Sequence, residues 1–303
     1  MVDKKIYTAE EIFALNQTDQ IMRSKARDID KNFYHYTTVD SVNKILSSDG
    51  FGNHFIFVRN IATMNDLNEA ELHKSDGNRI HSFCTCCTKH EKIPLWYLYS
   101  GICGNGARLG FTPGKMIKFL NSIKIVYPVE NGKANYSNTL KINEDFELFC
   151  GWVYYSMDGN NRVMHKNTFY AVEEMDEETI KRSFFIKNYP WEYEREFRII
   201  IINKTDTVFE RIALTLPSEL IPTLEIMSAP EYTFTEEEKK RYVSFGIKPE
   251  KIKKSKLNIN MDLLRNNREH ILGQMDKWCD EDHCSNVCTY VRSKKKCTHK
   301  ENK

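Results

Sequence analysis

No stretch of this chain approaches the roughly 20 consecutive apolar residues needed to cross a bilayer, which leaves no reading as a helical membrane protein and no expected membrane partner. Glycine and proline are sparse, 13 and 8 among 303 residues, so long disordered linkers are not expected. Neither sign of charge dominates: 44 Lys and Arg stand against 42 Asp and Glu, and a net charge of +2 gives no global attraction to nucleic acid or lipid. Residues 1 to 13 carry no apolar signal segment, so a cytoplasmic chain is expected. Nine cysteines, an odd number, then read as reduced thiols or metal ligands before disulfides. A chain of this length buries roughly three-quarters of its unfolded surface, enough for one large domain or two small ones.

The polar and apolar patterns alternate between helix and strand periods, which predicts an α+β chain. Thr8 with Glu11 forms a capping box before a helix carrying Ile12, Phe13, Leu15 and Ile21. Strands are expected at residues 33 to 37, 55 to 58, 79 to 84, 107 to 111, 123 to 127, 209 to 216 and 223 to 227. Short helices should follow Thr38, cover residues 94 to 99 and begin at Pro113, where a proline follows a Thr cap. A helix from Thr235 to Phe245 opens on three glutamates. Residues 144 to 155, apolar nearly all round, and 173 to 187, acidic then basic, are read as two helices covering the sheet. The composition shifts after residue 247. The expected organisation is an α+β core over 1–247 and a basic, Cys-rich, helical extension over 248–303.

Charge and burial collide at one place. Trp191-Glu192-Tyr193-Glu194-Arg195-Glu196-Phe197-Arg198 runs directly into Ile199, Ile200, Ile201 and Ile202. Four β-branched residues in succession predict a central strand buried on both faces, and strand alternation before them would put Glu192, Glu194 and Glu196 on one face. Clustered carboxylates stabilise a developing cation and raise one another's proton affinity. The structural alternative is that Arg195 and Arg198 pair with them on a solvated edge.

Five motifs occur in order: Tyr34-His35-Tyr36-Thr37; Asn65-Asp66 with Glu69; Trp96 and Tyr99 within Leu95 to Tyr99; Gly110-Phe111; and the Tyr193-Glu194-Arg195-Glu196-Phe197-Arg198 run. Over residues 33 to 202 this series resembles the bacterial domain-of-unknown-function 2971 family, with Phe197 where that family usually has tryptophan. More remotely it is similar to the His-Tyr-Glu type of the ADP-ribosyltransferase superfamily. The second resemblance implies a split mixed β-sheet flanked by helices, with NAD as co-substrate. It implies Glu196 as the carboxylate facing an oxocarbenium-like cation, and Glu194 as the group that orients or deprotonates the acceptor. On the same basis His35 would contact ribose, and Tyr36, Thr37, Asn65, Trp96 and Tyr99 would line the NAD site, with the stacking ring among Tyr36, Trp96 and Tyr99. The acceptor would be protein, RNA or DNA. A toxin or phage-defence role, with an antitoxin partner, follows from the family resemblance alone.

Two further groups carry metal or phosphate chemistry on paper. Cys279, Cys284, Cys288 and Cys297, with His283 and His299 nearby, could close a tetrahedral zinc site; lacking paired Cys-x-x-Cys spacing, they read first as incidental thiols on a basic tail. His81, Cys84, Cys86, Cys87 and His90 are a poorer set, because Cys84 and Cys86 share a strand face and Cys87 points away, which suits packing thiols. Lys248, Lys251, Lys253, Lys254 and Lys256 could meet phosphates or remain solvated. Two rival functions stay open. One is a nucleic-acid or protein binding module; the other is a phosphodiester hydrolase with Asn65, Asp66, Glu194 and Glu196 around a metal.

Overall fold

The four isoleucines occupy the middle of a strand with partners on both edges. A computed structural model describes residues 29–63, 79–88, 91–99, 105–156, 162–165, 168–171 and 184–257. In chain order the elements are β1 (Ile29–Thr38), α1 (Val39–Leu46), β2 (His54–Asn60), β3 (Ile80–Thr88), α2 (Ile93–Tyr99), β4 (Gly106–Phe111), α3 (Pro113–Ser122) and β5 (Ile125–Glu130). Then follow β6 (Lys133–Ala134), β7 (Leu140–Lys141), β8 (Phe146–Trp152), β9 (Tyr154–Ser156), β10 (Arg162–His165), β11 (Thr168–Ala171) and β12 (Ile186–Asn188). The last are β13 (Glu196–Asn203), β14 (Arg211–Leu216), β15 (Glu225–Ser228), α4 (Glu236–Ser244) and β16 (Ile252–Lys254). The result is a mixed α+β fold, with few helices on a large, mostly antiparallel open sheet.

Twelve strands join that sheet, in the order β16-β15-β4-β1-β3-β2-β14-β5-β6, with β7 on β5 and with β13 and then β8 branching from β3. The sheet forks at β3. Along one edge β3 pairs with β13 from Glu196↔Cys86 to Ile202↔Ile80. Its other edge is shared: β1 takes one end through Tyr34↔Cys86, and β2 takes the other through Arg59↔Ser82 and Asn60↔His81. From there β1 leads to β4 and β15, while β2 leads to β14 and β5.

One face of the sheet holds the main core. Phe33, Phe83, Leu109, Phe197, Ile199, Ile201 and Leu214 pack there against Val42 and Leu46 of α1 and Met116 and Phe119 of α3. These helices form where the sequence places them: Thr38 caps α1 by accepting from the Ser41 amide, and Pro113 opens α3. Thr235 and Glu238 close a reciprocal capping box on α4. The opposite face carries two smaller clusters. One gathers Tyr34, Tyr36, Cys86, Leu95, Trp96 and Met227 beneath α2; the other joins Ile61, Ile80, Phe184 and Ile200. Gly110 sits in a close approach: a Cβ there would lie 3.2 Å from Glu225 Cβ and 3.3 Å from the Tyr34 ring, so a larger residue would need its neighbours to give by a few tenths of an ångström.

Three expectations fail. The helix read over residues 173 to 187 does not extend to residue 187, since Ile186 and Lys187 belong to β12, paired in parallel with β9. Residues 144 to 155 are not a helix: β8 runs along β13 from Phe197↔Trp152 to Asn203↔Phe146. An all-round apolar run of this length suits a strand as well as a helix, and the unfilled edge of β13 decides it. Residues 189 to 194 form a 3-10 helix, so Glu192 leaves the face expected for it and pairs with Arg195 at 3.3 Å. The described sheet also runs past residue 247, since β16 pairs in parallel with β15. The N-terminal helix, residues 173 to 183, and residues 258 to 303 lie outside the described residues.

Candidate active site

Two glutamates meet inside the protein, where the 3-10 turn runs into the first residue of β13. The chain leaves its 3-10 turn through Arg195, whose φ of +46° lies in the left-handed region that a side chain with Cβ rarely adopts. That turn feeds β13 with Glu194 and Glu196, 1% and 2% exposed, both aimed at one lysine. Lys187, on β12 and 6% exposed, donates to Glu194 Oε2 at 2.7 Å and lies 3.5 Å from Glu196 Oε2. Its Nζ also lies 4.5 Å from the Trp191 ring centroid. Arg198, wholly buried, grips Glu196 side-on, Nε to Oε1 at 2.8 Å and Nη2 to Oε2 at 2.9 Å, while Nη1 donates to the Phe184 carbonyl at 2.7 Å. The Tyr99 hydroxyl donates to Glu194 Oε1 at 2.6 Å.

The two carboxyls part in proton affinity. Burial pushes Glu194 up to about 7; the Glu196 charge adds to the rise, and Lys187 and the Tyr99 hydrogen bond oppose it. Burial works the same way on Glu196, but the Arg198 and Lys187 charges and hydrogen bonds from Arg198 and Cys84 outweigh it and hold Glu196 well below the usual carboxylate range. Glu194 therefore exchanges a proton near neutrality beside a neighbour that stays ionised. Burial, and then the Glu194 charge, push the Tyr99 hydroxyl far above its usual range, so it remains a donor. Burial and then the nearby carboxylates likewise keep the Cys84 and Cys86 thiols protonated.

The residues singled out from sequence divide between the two faces. Tyr36, Trp96 and Tyr99 share the face of the glutamates: the Tyr36 and Trp96 rings meet edge-on at 4.7 Å, and Tyr99 and Tyr193 pack on the same cluster. His35 and Thr37 alternate with Tyr36 and so belong to the opposite face, where the His35 ring lies 4.7 Å from Phe83. There His35 closes the fork. Its Nδ1 lies 3.0 Å from the Cys84 carbonyl, at the stretch of β3 between the parts taken by β1 and β2. A carbonyl only accepts, so Nδ1 carries the proton, and burial holds the imidazole below its ordinary value. Asn65, Asp66 and the cysteines at 279, 284, 288 and 297 fall outside the described residues.

Lys187 was missed in the sequence because it closes the apparent helix of residues 173 to 187. The only local sign of it was a lone cation after Phe184-Phe185-Ile186. Among the described residues no group of His, Cys, Asp or Glu is arranged to hold a metal, and no helix is long and apolar enough to cross a membrane. No protein-family model, curated protein or solved structure matches the chain. The likeness to known families thus rests on the ordered motifs alone.

Proposed function

We propose that the chain is an NAD-consuming enzyme that transfers ADP-ribose to a macromolecular acceptor, protein, RNA or DNA. One observation carries the reading: two buried carboxyls on one sheet face, separated in proton affinity, with aromatic rings beside them. In the transfer, the bond between nicotinamide and ribose breaks, nicotinamide leaves with the bonding electrons, and positive charge builds on the ribose. Ionised Glu196 is the negative charge facing that cation. Glu194, exchanging its proton near neutrality, takes the proton of the attacking acceptor group. Tyr99, half-buried, offers the ring surface for nicotinamide, with Tyr36 and Trp96 buried in the cluster behind it. The order of motifs supports this reading.

A metal-dependent hydrolase fits less well, since Lys187 and Arg198 occupy the positions beside the carboxylates that a cation would take. A second reading has its own support. His35 lies on the face away from both glutamates, and Glu196 commits both oxygens to Arg198. Under that reading the four charges hold β12 and the 3-10 turn to the sheet, and the chain is a binding module. Incubation of the protein with labelled NAD and cell extract separates the two. Label should enter a macromolecule with release of nicotinamide, and Glu194→Gln should abolish both while remaining folded. Wild-type turnover in Glu194→Gln, or no turnover in any extract, overturns the transferase reading.

A further inference from the structure

Arg198 and Arg108 are two buried arginines on the same sheet face, and they differ in how one edge is used. The Nε and Nη2 edge of Arg198 is filled by both Glu196 oxygens, at 2.8 and 2.9 Å. The same edge of Arg108, a residue 5% exposed on β4, is less well satisfied: Nε is buried without a hydrogen-bond partner, and Nη2 reaches Glu225 Oε1 only at 3.4 Å. Nη1 donates to the Tyr36 hydroxyl at 3.2 Å, and the guanidinium lies over the Tyr34 ring, 4.0 Å from its centroid. Glu225 is shared, since Lys253 on β16 also contacts it, and Lys253 opens the cluster to solvent at 45% side-chain exposure. Glu91 contributes to the field at Arg108, but its oxygens accept from Trp96 Nε1, Ser255 Oγ and the Lys256 amide. Two cations thus share one carboxylate, with a bidentate edge only partly satisfied.

We propose that Arg108 and Lys253 form a binding site for a diphosphate group, that of the dinucleotide donor. The identity of the ligand rests on the transferase reading above; its anionic, bidentate chemistry rests on Arg108. A phosphate oxygen pair matches the Nε and Nη2 edge as Glu196 matches that of Arg198, and it releases Glu225 to solvent. Position agrees. Arg108 is the register partner of Tyr36, and Tyr34 that of Cys86, which faces Glu196. Three strand steps, about 14 Å at the usual spacing, separate the strands of Arg108 and Glu196, less than the length of an extended dinucleotide. The Tyr34 and Tyr36 rings lie between them.

Calorimetry on the full chain tests the site with inorganic pyrophosphate and with ADP-ribose, and with sulfate as control. Both diphosphates should bind. Arg108→Lys keeps the charge and loses the fork, and should weaken both at least about tenfold. Glu225→Gln removes the competing carboxylate and should tighten both by about threefold to tenfold. That gain is a result a merely structural role for Arg108 does not produce, and it survives even if Arg108→Lys folds poorly. No diphosphate binding to the wild type, sulfate binding as tight as pyrophosphate, or unchanged affinity in a folded Arg108→Lys overturns the site. Diphosphate binding without NAD turnover upholds the site and removes the transferase reading; turnover without diphosphate binding does the reverse.

Discussion

Removing Lys187 should cost stability in a pH-dependent way. In Lys187→Met the apolar stem is kept and the ammonium lost, so the cation 2.7 Å from Glu194 and 3.5 Å from Glu196 disappears from a site 6% exposed. Breaking one partner out of a buried ion pair costs about 3–5 kcal/mol when the remaining charge cannot escape. Glu194 has an escape, because its carboxyl is already pushed up to about 7 and protonates further once the lysine is gone. A group with raised folded pKa gives stability that is complete below its unfolded value and is lost as pH rises through the folded value. In the wild type the Glu194 contribution is therefore lost between about pH 4.5 and 7, and in Lys187→Met the loss continues to higher pH. The lysine's own attraction for an ionised Glu194 operates only above that range. The expected cost is about 3 kcal/mol near pH 8.5, a fall in Tm of about 6–12 °C for a unit of this size, and clearly less at pH 5. Urea unfolding of both proteins at the two pH values, read by circular dichroism, measures it. A cost below about 0.5 kcal/mol at both, the usual surface value, refutes the burial argument.

Glu196→Gln should lose NAD turnover and also about 3–5 kcal/mol of stability, because Arg198 is left buried against a neutral amide; a stable, inactive variant contradicts the second half, measured by urea unfolding. His35→Ala should lower stability by about 1–3 kcal/mol through the orphaned Cys84 carbonyl, yet leave NAD affinity of the folded protein unchanged. Weaker NAD binding without loss of stability would return His35 to the ligand side. Zinc on Cys279, Cys284, Cys288 and Cys297 should be structural, with four protein ligands closing the tetrahedron. Elemental analysis of protein purified without added metal checks this, and less than about half an equivalent per chain counts against it.

Local signals carried much of the secondary structure. The Thr38 cap, Pro113 at a helix start, the three glutamates after Thr235 and the isoleucine run each describe their own neighbourhood, and each element forms where it was expected. What failed depended on distant partners. Residues 146 to 152 become strand because β13 offers an edge, a fact held in residues 196 to 203 and not in their own pattern. The 3-10 turn displaces Glu192 because Arg195 turns left-handed, which periodicity does not encode. Glu194 and Glu196 were legible as a pair, but their opposite proton affinities were not, since those follow first from burial and then from the charges of Lys187 and Arg198, whose placement around each carboxyl the strand pattern does not give. His35 stood out for its residue type, and its face of the sheet follows from counting alternation within β1.

The cost of the charged cluster bears on its purpose. The face of β13 that carries Glu196 and Arg198 carries Ile200 next, packed with Ile61, Ile80 and Phe184 in a wholly apolar row. The same strand thus fills its neighbouring position by simple apolar burial. Replacing buried ions with apolar side chains of similar volume is commonly neutral or stabilising by about 1–4 kcal/mol, so stability alone does not account for two acids and two bases here. Nor does rigidity distinguish them from well-packed isoleucines. Among these groups, a carboxyl that titrates near neutrality beside a fixed negative charge is the property apolar residues cannot supply. It belongs to Glu194, and it depends first on burial and then on the charge that Arg198 keeps on Glu196. That dependence favours acid–base work at Glu194 over a purely structural cluster: a structural role is served equally well by an uncharged row, whereas proton exchange near pH 7 is lost with it.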